Sequence, residues 1–423
     1  MKDAIRRTLL TFRFAVPAAL LALVAGPPCR AEVDAEASAA ALKGLKAQLR
    51  SGAGLQGVAG AEFATAALTK RDAAEAERLL WQAYAEAERP ARAEELKRGA
   101  IQLDGAEMPI FYRTYGKAPK SGRSLYISMH GGGGAPARVN DRQWENQKRL
   151  YRPAEGVYCA PRAPSNEWDL WHRAPVGRMF DRLIESFILA EGVDPNRVYL
   201  MGYSAGGDGV YQLAPRMADR WAAAAMMAGH PNDASPLGLR NIGFALQVGG
   251  RDTAYKRNRV AAEWGDKLAE LAKLDAGAYR HLVKVYPNKG HWMDREDAIA
   301  LPWMARFTRD PYPQTVVWRQ DDVTRGSFYW LAVDGPNRKP RSTIRATRDG
   351  AAFTVNAEGV TGVTLRLHDQ MAPLDEEVTV TLNGREAFRG VPRRTIAKLA
   401  ESIARRGDPA MVFSAEITVG GAG

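Results

Sequence analysis

Arg197-Val-Tyr-Leu-Met-Gly-Tyr-Ser204-Ala-Gly-Gly207 decides how the rest of the chain is read. Its first half, Val198 to Met201, is apolar and β-rich, the pattern of a buried strand. Its second half is Gly202-Tyr-Ser204-Ala-Gly206, and helical spacing then runs on through Val210, Leu213 and Met217. Strand, sharp turn and helix are the context in which G-x-S-x-G becomes a nucleophile elbow rather than a chance string. Gly202 and Gly206 leave room for a helix to pack closely behind a strained serine. Ser204 then stands at a helix N-terminus, where unpaired N–H groups and the dipole favour a nearby anion.

A serine hydroxyl is a poor nucleophile until a base takes its proton, and the base needs an acid partner. Six histidines narrow the choice. His291 follows the last apolar strand expected in the region, Leu282 to Tyr286. His281 opens that strand, at the wrong end for a site at strand C-termini. His368 lies in a strand-rich tail, while His172 and His230, in loops, stay as alternatives. Phe244-Ala-Leu-Gln-Val-Gly-Gly-Arg-Asp252 puts Asp252 in the loop after the preceding strand, with Asp233 as the alternative acid. The chain order Ser204, Asp252, His291 is that of elbow-type hydrolases. Donors for a developing oxyanion are expected from the Ala205 N–H and from the run Gly131 to Gly134, after a short strand ending in His130. No Gly-Lys-Ser/Thr follows that run, which makes it a poor phosphate cradle. The histidines show no ligand-like spacing with acids or cysteines, so neither metal nor cofactor is expected.

His130-Gly-Gly-Gly, Asp194-Pro-Asn-Arg-Val-Tyr-Leu-Met-Gly-Tyr-Ser-Ala-Gly-Gly, Gly250-Arg-Asp252 and Gly290-His291-Trp together resemble the α/β-hydrolase superfamily. More narrowly, the chain is similar to secreted bacterial esterases of the polyhydroxybutyrate-depolymerase and feruloyl-esterase kind. The resemblance covers about residues 100 to 309. It implies Ser204 as nucleophile, His291 as base, Asp252 as its orienting acid, and Ala205 with Gly131 or Gly132 as oxyanion hole. Tyr203, Trp168, Trp171 and Trp292 are candidates for an apolar or sugar-stacking substrate pocket.

Outward from this core, strands alternate with helical patterns: Gly156 to Ala160, a helix around Met179 to Leu189, then Ala222 to Ala228 and Phe244 to Val248. That alternation predicts a mostly parallel sheet covered by helices on both faces. Ile101 to Tyr115 reads as a leading hairpin turning at Asp104-Gly105. Residues 32–99 read as a helical extension without chemistry, its best helix starting at a capping box of Asp72 and Glu75 and ending before Pro90. Residues 310–423 carry short strands, Thr315 to Trp318 and Phe328 to Val333 among them. They suggest an all-β sandwich-like domain interrupted by one helix near Arg394 to Arg405.

The first 31 residues form a secretory signal pattern: Lys2, Arg6, Arg7 and Arg13, an apolar run from Phe14 to Val24, and small residues before a cleavage site after Ala31. The run is too short for a permanent membrane anchor. A secreted or periplasmic protein is expected. Removing Lys2, Arg6, Arg7, Arg13, Arg30 and Asp3 lowers the formal charge from +11 to +7. The surplus is scattered, which argues against a nucleic-acid footprint. Only Cys159 survives cleavage, so no internal disulfide is possible, and its apolar neighbours make it a buried small side chain.

The combined expectation is an exported serine hydrolase acting on small or polymeric carboxylic esters through an acyl-enzyme. A prolyl-oligopeptidase-like peptidase shares elbow, triad order and fold, but about seventy leading residues cannot build its usual propeller. A binding protein with an inactive hydrolase domain is the third reading.

Overall fold

The computed structural model describes residues 33–52 and 54–421. The expected signal segment, residues 1–31, lies outside them. No helix among the described residues is long and apolar enough to cross a membrane.

Eight strands form the principal sheet: β1 (Ala100–Leu103), β2 (Ala106–Tyr115), β3 (Arg123–Met129), β4 (Gly156–Pro161), β5 (Val193–Tyr203), β6 (Ala223–Met227), β7 (Gly243–Gly249) and β8 (His281–Tyr286). Their order is β1-β2-β4-β3-β5-β6-β7-β8. β1 and β2 form the expected antiparallel hairpin, β2 is antiparallel to β4, and every other pairing is parallel. The central strands read as continuous apolar runs because both faces are covered. Leu200, Met226 and Leu246 point to one face, beneath α5 (Ala174–Glu191), α6 (Ala205–Arg216) and α7 (Arg257–Leu274). Met201, Ala225 and Ala245 point to the other, beneath α4 (Ala137–Gln147) and α8 (Ala300–Met304). This is the mostly parallel sheet, covered by helices on both faces, that the strand and helix alternation leads one to expect.

The leading helices are α1 (Ala35–Arg50), α2 (Leu55–Ala59) and α3 (Lys70–Arg98). α3 departs from expectation at both ends. Its N-cap is Thr69, whose hydroxyl accepts the Asp72 N–H, and Asp72 is a buried acceptor for Ser38 Oγ at 2.7 Å. The helix also passes through Pro90 and stops at Gly99. Pro90 costs one backbone hydrogen bond. Beyond it, Arg92, Glu95 and Leu96 are buried, and Glu95 accepts from Ser186 Oγ of α5 at 2.8 Å. Tertiary packing overrides the local break.

The tail folds into two further sheets. One is β10-β11-β14-β17, from β10 (Ser327–Phe328), β11 (Leu331–Ala332), β14 (Gly362–Leu367) and β17 (Ala415–Gly420). The other is β16-β15-β13-β12-β9, from β9 (Thr315–Arg319), β12 (Thr343–Asp349), β13 (Ala352–Glu358), β15 (Val378–Leu382) and β16 (Arg385–Gly390). Phe328 to Val333 is not the single strand expected. Tyr329 takes a left-handed backbone (φ 51°), which folds the stretch into a tight β10–β11 hairpin buried throughout. Helix α9 (Ile396–Arg406) packs its apolar face, Ile396, Leu399 and Ile403, against the leading helices. Tail, extension and principal sheet therefore share buried surface.

Candidate active site

β5 delivers Ser204 at its C-terminal end, and α6 begins at the next residue. Ser204 has φ 60° and ψ −121°, a conformation that costs an L-residue of order 1–3 kcal/mol unless its surroundings impose it. They do so here. The Ser204 N–H donates to the Met227 carbonyl at 2.9 Å, and Asp208 N–H returns to the Ser204 carbonyl at 3.0 Å. Gly206 lies so close to β3 that a Cβ would run into the Met129 and His130 carbonyls. The glycine is required by that approach.

The structure brings Ser204, His291 and Asp252 together. His291 Nε2 is 2.9 Å from Ser204 Oγ, and Nδ1 is 2.7 Å from Asp252 Oδ2. The Asp252 side chain is 2% exposed and that of His291 43% exposed, so the carboxylate is sequestered while the imidazole borders the cleft. Asp252 sits in the loop after β7, where its N–H donates to the Gly249 carbonyl at 3.0 Å. A buried carboxylate facing Nδ1 holds the proton there and leaves Nε2 as an acceptor for the serine proton.

The other sequence candidates lie elsewhere. Asp233 is held by Arg341 and by Gln212 Nε2 at 3.4 Å. His230 Nδ1 is 3.0 Å from Asn232 Oδ1. His172 borders a separate hollow with Trp168 and Asp233, and burial pushes its pKa down. His281 Nδ1 faces the Tyr279 carbonyl at 2.8 Å, and His368 Nε2 is 3.2 Å from Glu77 in the extension.

Gly131, Gly132, Tyr203, Ser204, His291 and Trp292 line one open cleft of about 650 Å³. A Cβ on Gly131 would come within 3.1 Å of Ser204 Cβ, so its backbone lies beside the serine. Gly132 has φ 111°, which glycine alone adopts freely, and Asn140 occupies the space a Cβ would need. Ala205 opens α6 on the other side of Ser204. Trp292 is 47% exposed at the cleft. Trp171 and Trp168 do not reach it. Trp171 is wholly buried against Gly209 of α6 and donates Nε1–H to the His130 carbonyl at 2.9 Å. Trp168 is 64% exposed in the separate hollow beside His172.

Three residues hold the site in ways the sequence does not show, and the first of them, Asn140, carries no motif at all. Asn140, fully buried in α4, accepts the Gly133 N–H at 2.8 Å and donates to the Ala135 carbonyl at 2.9 Å, fixing the glycine run. His130 is also buried. Its Nε2 accepts the Ala163 N–H at 3.1 Å and its Nδ1 contacts the Gly131 carbonyl at 2.5 Å. Burial pushes its pKa down to about 4, so it serves as a neutral brace. Tyr203 lines the cleft and also donates its hydroxyl to the His291 carbonyl at 2.6 Å while accepting the Met293 N–H at 3.0 Å. It ties the histidine loop to the serine strand. Cys159 is buried, and burial pushes its thiol pKa up.

No family model matches the chain, and none of the curated proteins matches it in sequence. Among solved structures it is similar to a thermostable esterase, at 16% identity and a TM-score of 0.38, over 50% of this chain and 62% of that one. It is also similar to a ferulic acid esterase, at 17% identity and a TM-score of 0.35, over 49% and 96% of the two chains. A dipeptidyl peptidase 4 from Porphyromonas gingivalis gives 13% identity and a TM-score of 0.35 over 49% and 34%. The chain thus spans less than two thirds of the first and third of these.

Proposed function

We propose that the chain is a serine hydrolase that cleaves carboxylic esters through an acyl-enzyme. The observation that carries this reading is the relay from buried Asp252 through His291 to Ser204 Oγ, at 2.7 and 2.9 Å, on a strained elbow. Ser204 Oγ attacks the ester carbonyl carbon as His291 Nε2 takes its proton. The oxyanion is received by the Ala205 N–H and a backbone N–H of Gly131 or Gly132. Donors of this kind, preorganised where charge develops, are worth about 3–4 kcal/mol each. Collapse expels the alkoxide, which leaves as the alcohol with the proton held on His291. Water, deprotonated by the same imidazole, then attacks the acyl-Ser204 carbonyl, and His291 returns that proton to Ser204 Oγ as the acyl–Oγ bond breaks and the carboxylic acid is released. Asp252 orients the imidazole and stabilises its cation throughout.

The narrower kinship with secreted polyhydroxybutyrate-depolymerase and feruloyl-esterase-type enzymes belongs to the same proposal. So do export after cleavage near Ala31 and the division into a helical extension, a hydrolase unit from about 100 to 309 and a β-rich unit from 310. The motifs around His130, Ser204, Asp252 and His291 and the signal pattern support them.

Aryl esters of graded acyl length, assayed beside chromogenic peptides, test the chemistry. Esters should turn over faster, a fluorophosphonate should label Ser204, and Ser204→Ala should lower turnover by a factor of about 10⁴ while the fold survives. Faster peptide cleavage, or equal labelling of the alanine variant, would overturn the reading.

A further inference from the structure

We infer that the cleft selects esters carrying an anionic group, a carboxylate above all, on one side of the scissile bond. The inference rests on the serine-hydrolase reading and adds to it the substrate's charge. The cleft that holds Ser204 and His291 is lined also by Arg149 and Arg295, and by no aspartate or glutamate. A second hollow shares Arg149, Leu150 and Arg295 with it and adds Arg152 and Arg197, against a single acid, Glu155. Glu155 is already engaged, with Arg197 at 3.6 Å and with the Ser124 N–H at 3.1 Å.

Both of these exposed arginines have acids close by in sequence. In each case a lysine holds those acids. Asp294 and Glu296 flank Arg295, and Lys289 Nζ binds them at 2.7 and 2.8 Å. Glu145 lies one helical turn before Arg149, and Lys148 Nζ binds it at 2.6 Å, leaving Arg149 only the Glu145 carbonyl at 3.3 Å. Neither Arg149 nor Arg295 forms an ion pair among the described residues. Two arginines without an acid partner therefore line the cleft that holds Ser204.

The backbone holds Arg295 in place against its own preference. Asp294 and Arg295 both take left-handed conformations, φ 53° and 64°, just after the His291 loop. Consecutive non-glycine residues there cost energy that the surrounding structure must offset, and such strain gathers at ligand clamps. Its effect here is to turn the chain so that Trp292 and Arg295 line the same cleft. An apolar wall of Tyr203 and Trp292 beside two guanidinium forks suits a substrate with an apolar body and a carboxylate end. A guanidinium meets a carboxylate in a planar two-bond fit, and a cleft of one sign concentrates counter-charged substrate.

The test compares two esters of one phenol on the full chain: the aryl hydrogen adipate, with a free carboxylate, and the neutral aryl hexanoate. We expect kcat/KM to favour the adipate by about tenfold or more at low salt, chiefly through KM. The preference should shrink in 0.5 M sodium chloride, where the screening length falls to a few ångströms. Arg149→Gln and Arg295→Gln should each lower the ratio of the two kcat/KM values, and the double variant should bring it near one. Arg295→Lys should keep most of it. Circular dichroism of each variant checks that the fold persists. A wild-type ratio near one with good hexanoate turnover would overturn the charge selection and leave the hydrolase reading intact. So would a ratio unmoved by the double substitution. No turnover of either ester, with no fluorophosphonate labelling of Ser204, would overturn the hydrolase reading and this inference with it.

Discussion

In the proposed mechanism Ser204 and His291 react together only while Asp252 keeps the imidazole in one tautomer, so the acid gives the sharpest test at residue scale. An asparagine at position 252 would offer either its amide N–H or its carbonyl to Nδ1, and the wrong choice leaves Nε2 protonated and useless as a base. Asp252→Asn should lower ester kcat by a factor on the order of 10³ or more. Asp233→Asn, which disturbs only the contacts to Arg341 and Gln212, should leave kcat within about twofold. Stopped-assay kcat values for the two variants decide between the acids, and equal losses would reopen the choice. That Ser204, Asp252 and His291 lie together is legible because each follows a strand in a fixed chain order, a local signal. Trp171 was misread for the converse reason. Aromatic residues near a loop look alike in sequence whether they fill a cleft or a core, and only the closeness of Gly209 puts this one inside.

At the scale of elements, the glycine run after β3 is shaped by one residue of α4. Asn140 satisfies a donor at Gly133 and an acceptor at Ala135, and its side chain fills the space beside Gly132. Asn140→Ala would leave both backbone groups unpaired in a partly buried setting, at up to about 1–3 kcal/mol for each group. The loop should then lose the backbone geometry needed for the oxyanion. We expect ester kcat to fall by roughly 10- to 100-fold, with KM changing far less, and a lower Tm by differential scanning calorimetry. Unchanged kcat would mean the loop keeps its shape without that residue. Nothing in the sequence around Asn140 marks it, because its partners lie on a loop that only the folded chain brings alongside. The same limit explains α3. Propensity ends that helix at Pro90, but the burial of Arg92, Glu95 and Leu96 against α5 carries it to Arg98. Elements with strong periodicity, such as β5, β7 and α5, were legible for the opposite reason: their burial on one face or both is written in the residues themselves.

For the whole molecule, the tail is held to the principal sheet by a buried ionic cluster. Arg309, after α8, binds Asp408 of the tail at 2.7 Å, and Arg406 binds Asp219, ahead of β6, at 2.6 Å. Asp181 of α5 takes Arg220 at 2.7 Å and Arg325 of the tail at 2.8 Å. Tyr329 adds a hydroxyl bond to the Ala218 carbonyl at 2.9 Å, and Trp318, Tyr329 and Trp330 are all buried. Truncation after residue 309 would break three of these four ion pairs and uncover the seat of the tail, so the product should be poorly soluble and bind a hydrophobic dye strongly. A soluble, fully active truncate would instead make the tail a separable module. The cluster also sets the acid response. Burial alone would raise the Asp181 and Asp408 pKa values. The facing guanidinium groups outweigh it, holding Asp181 down to about 2 and Asp408 well below the usual carboxylate range. A carboxylate whose folded pKa lies below its unfolded value contributes stability that is complete above the unfolded pKa and lost as pH falls through the folded one. Asp408→Asn removes that contribution and leaves Arg309 without its buried partner, at a cost of about 3–5 kcal/mol near neutrality. The difference in urea midpoint between wild type and Asp408→Asn should therefore be flat from pH 8 to about 5. It should narrow steadily below about pH 4, as the wild-type unfolded state begins to take up a proton that the folded state refuses. A difference that widened with acid, or kept its full size to pH 2, would mean that Asp408 is not held ionised by Arg309 and Arg406.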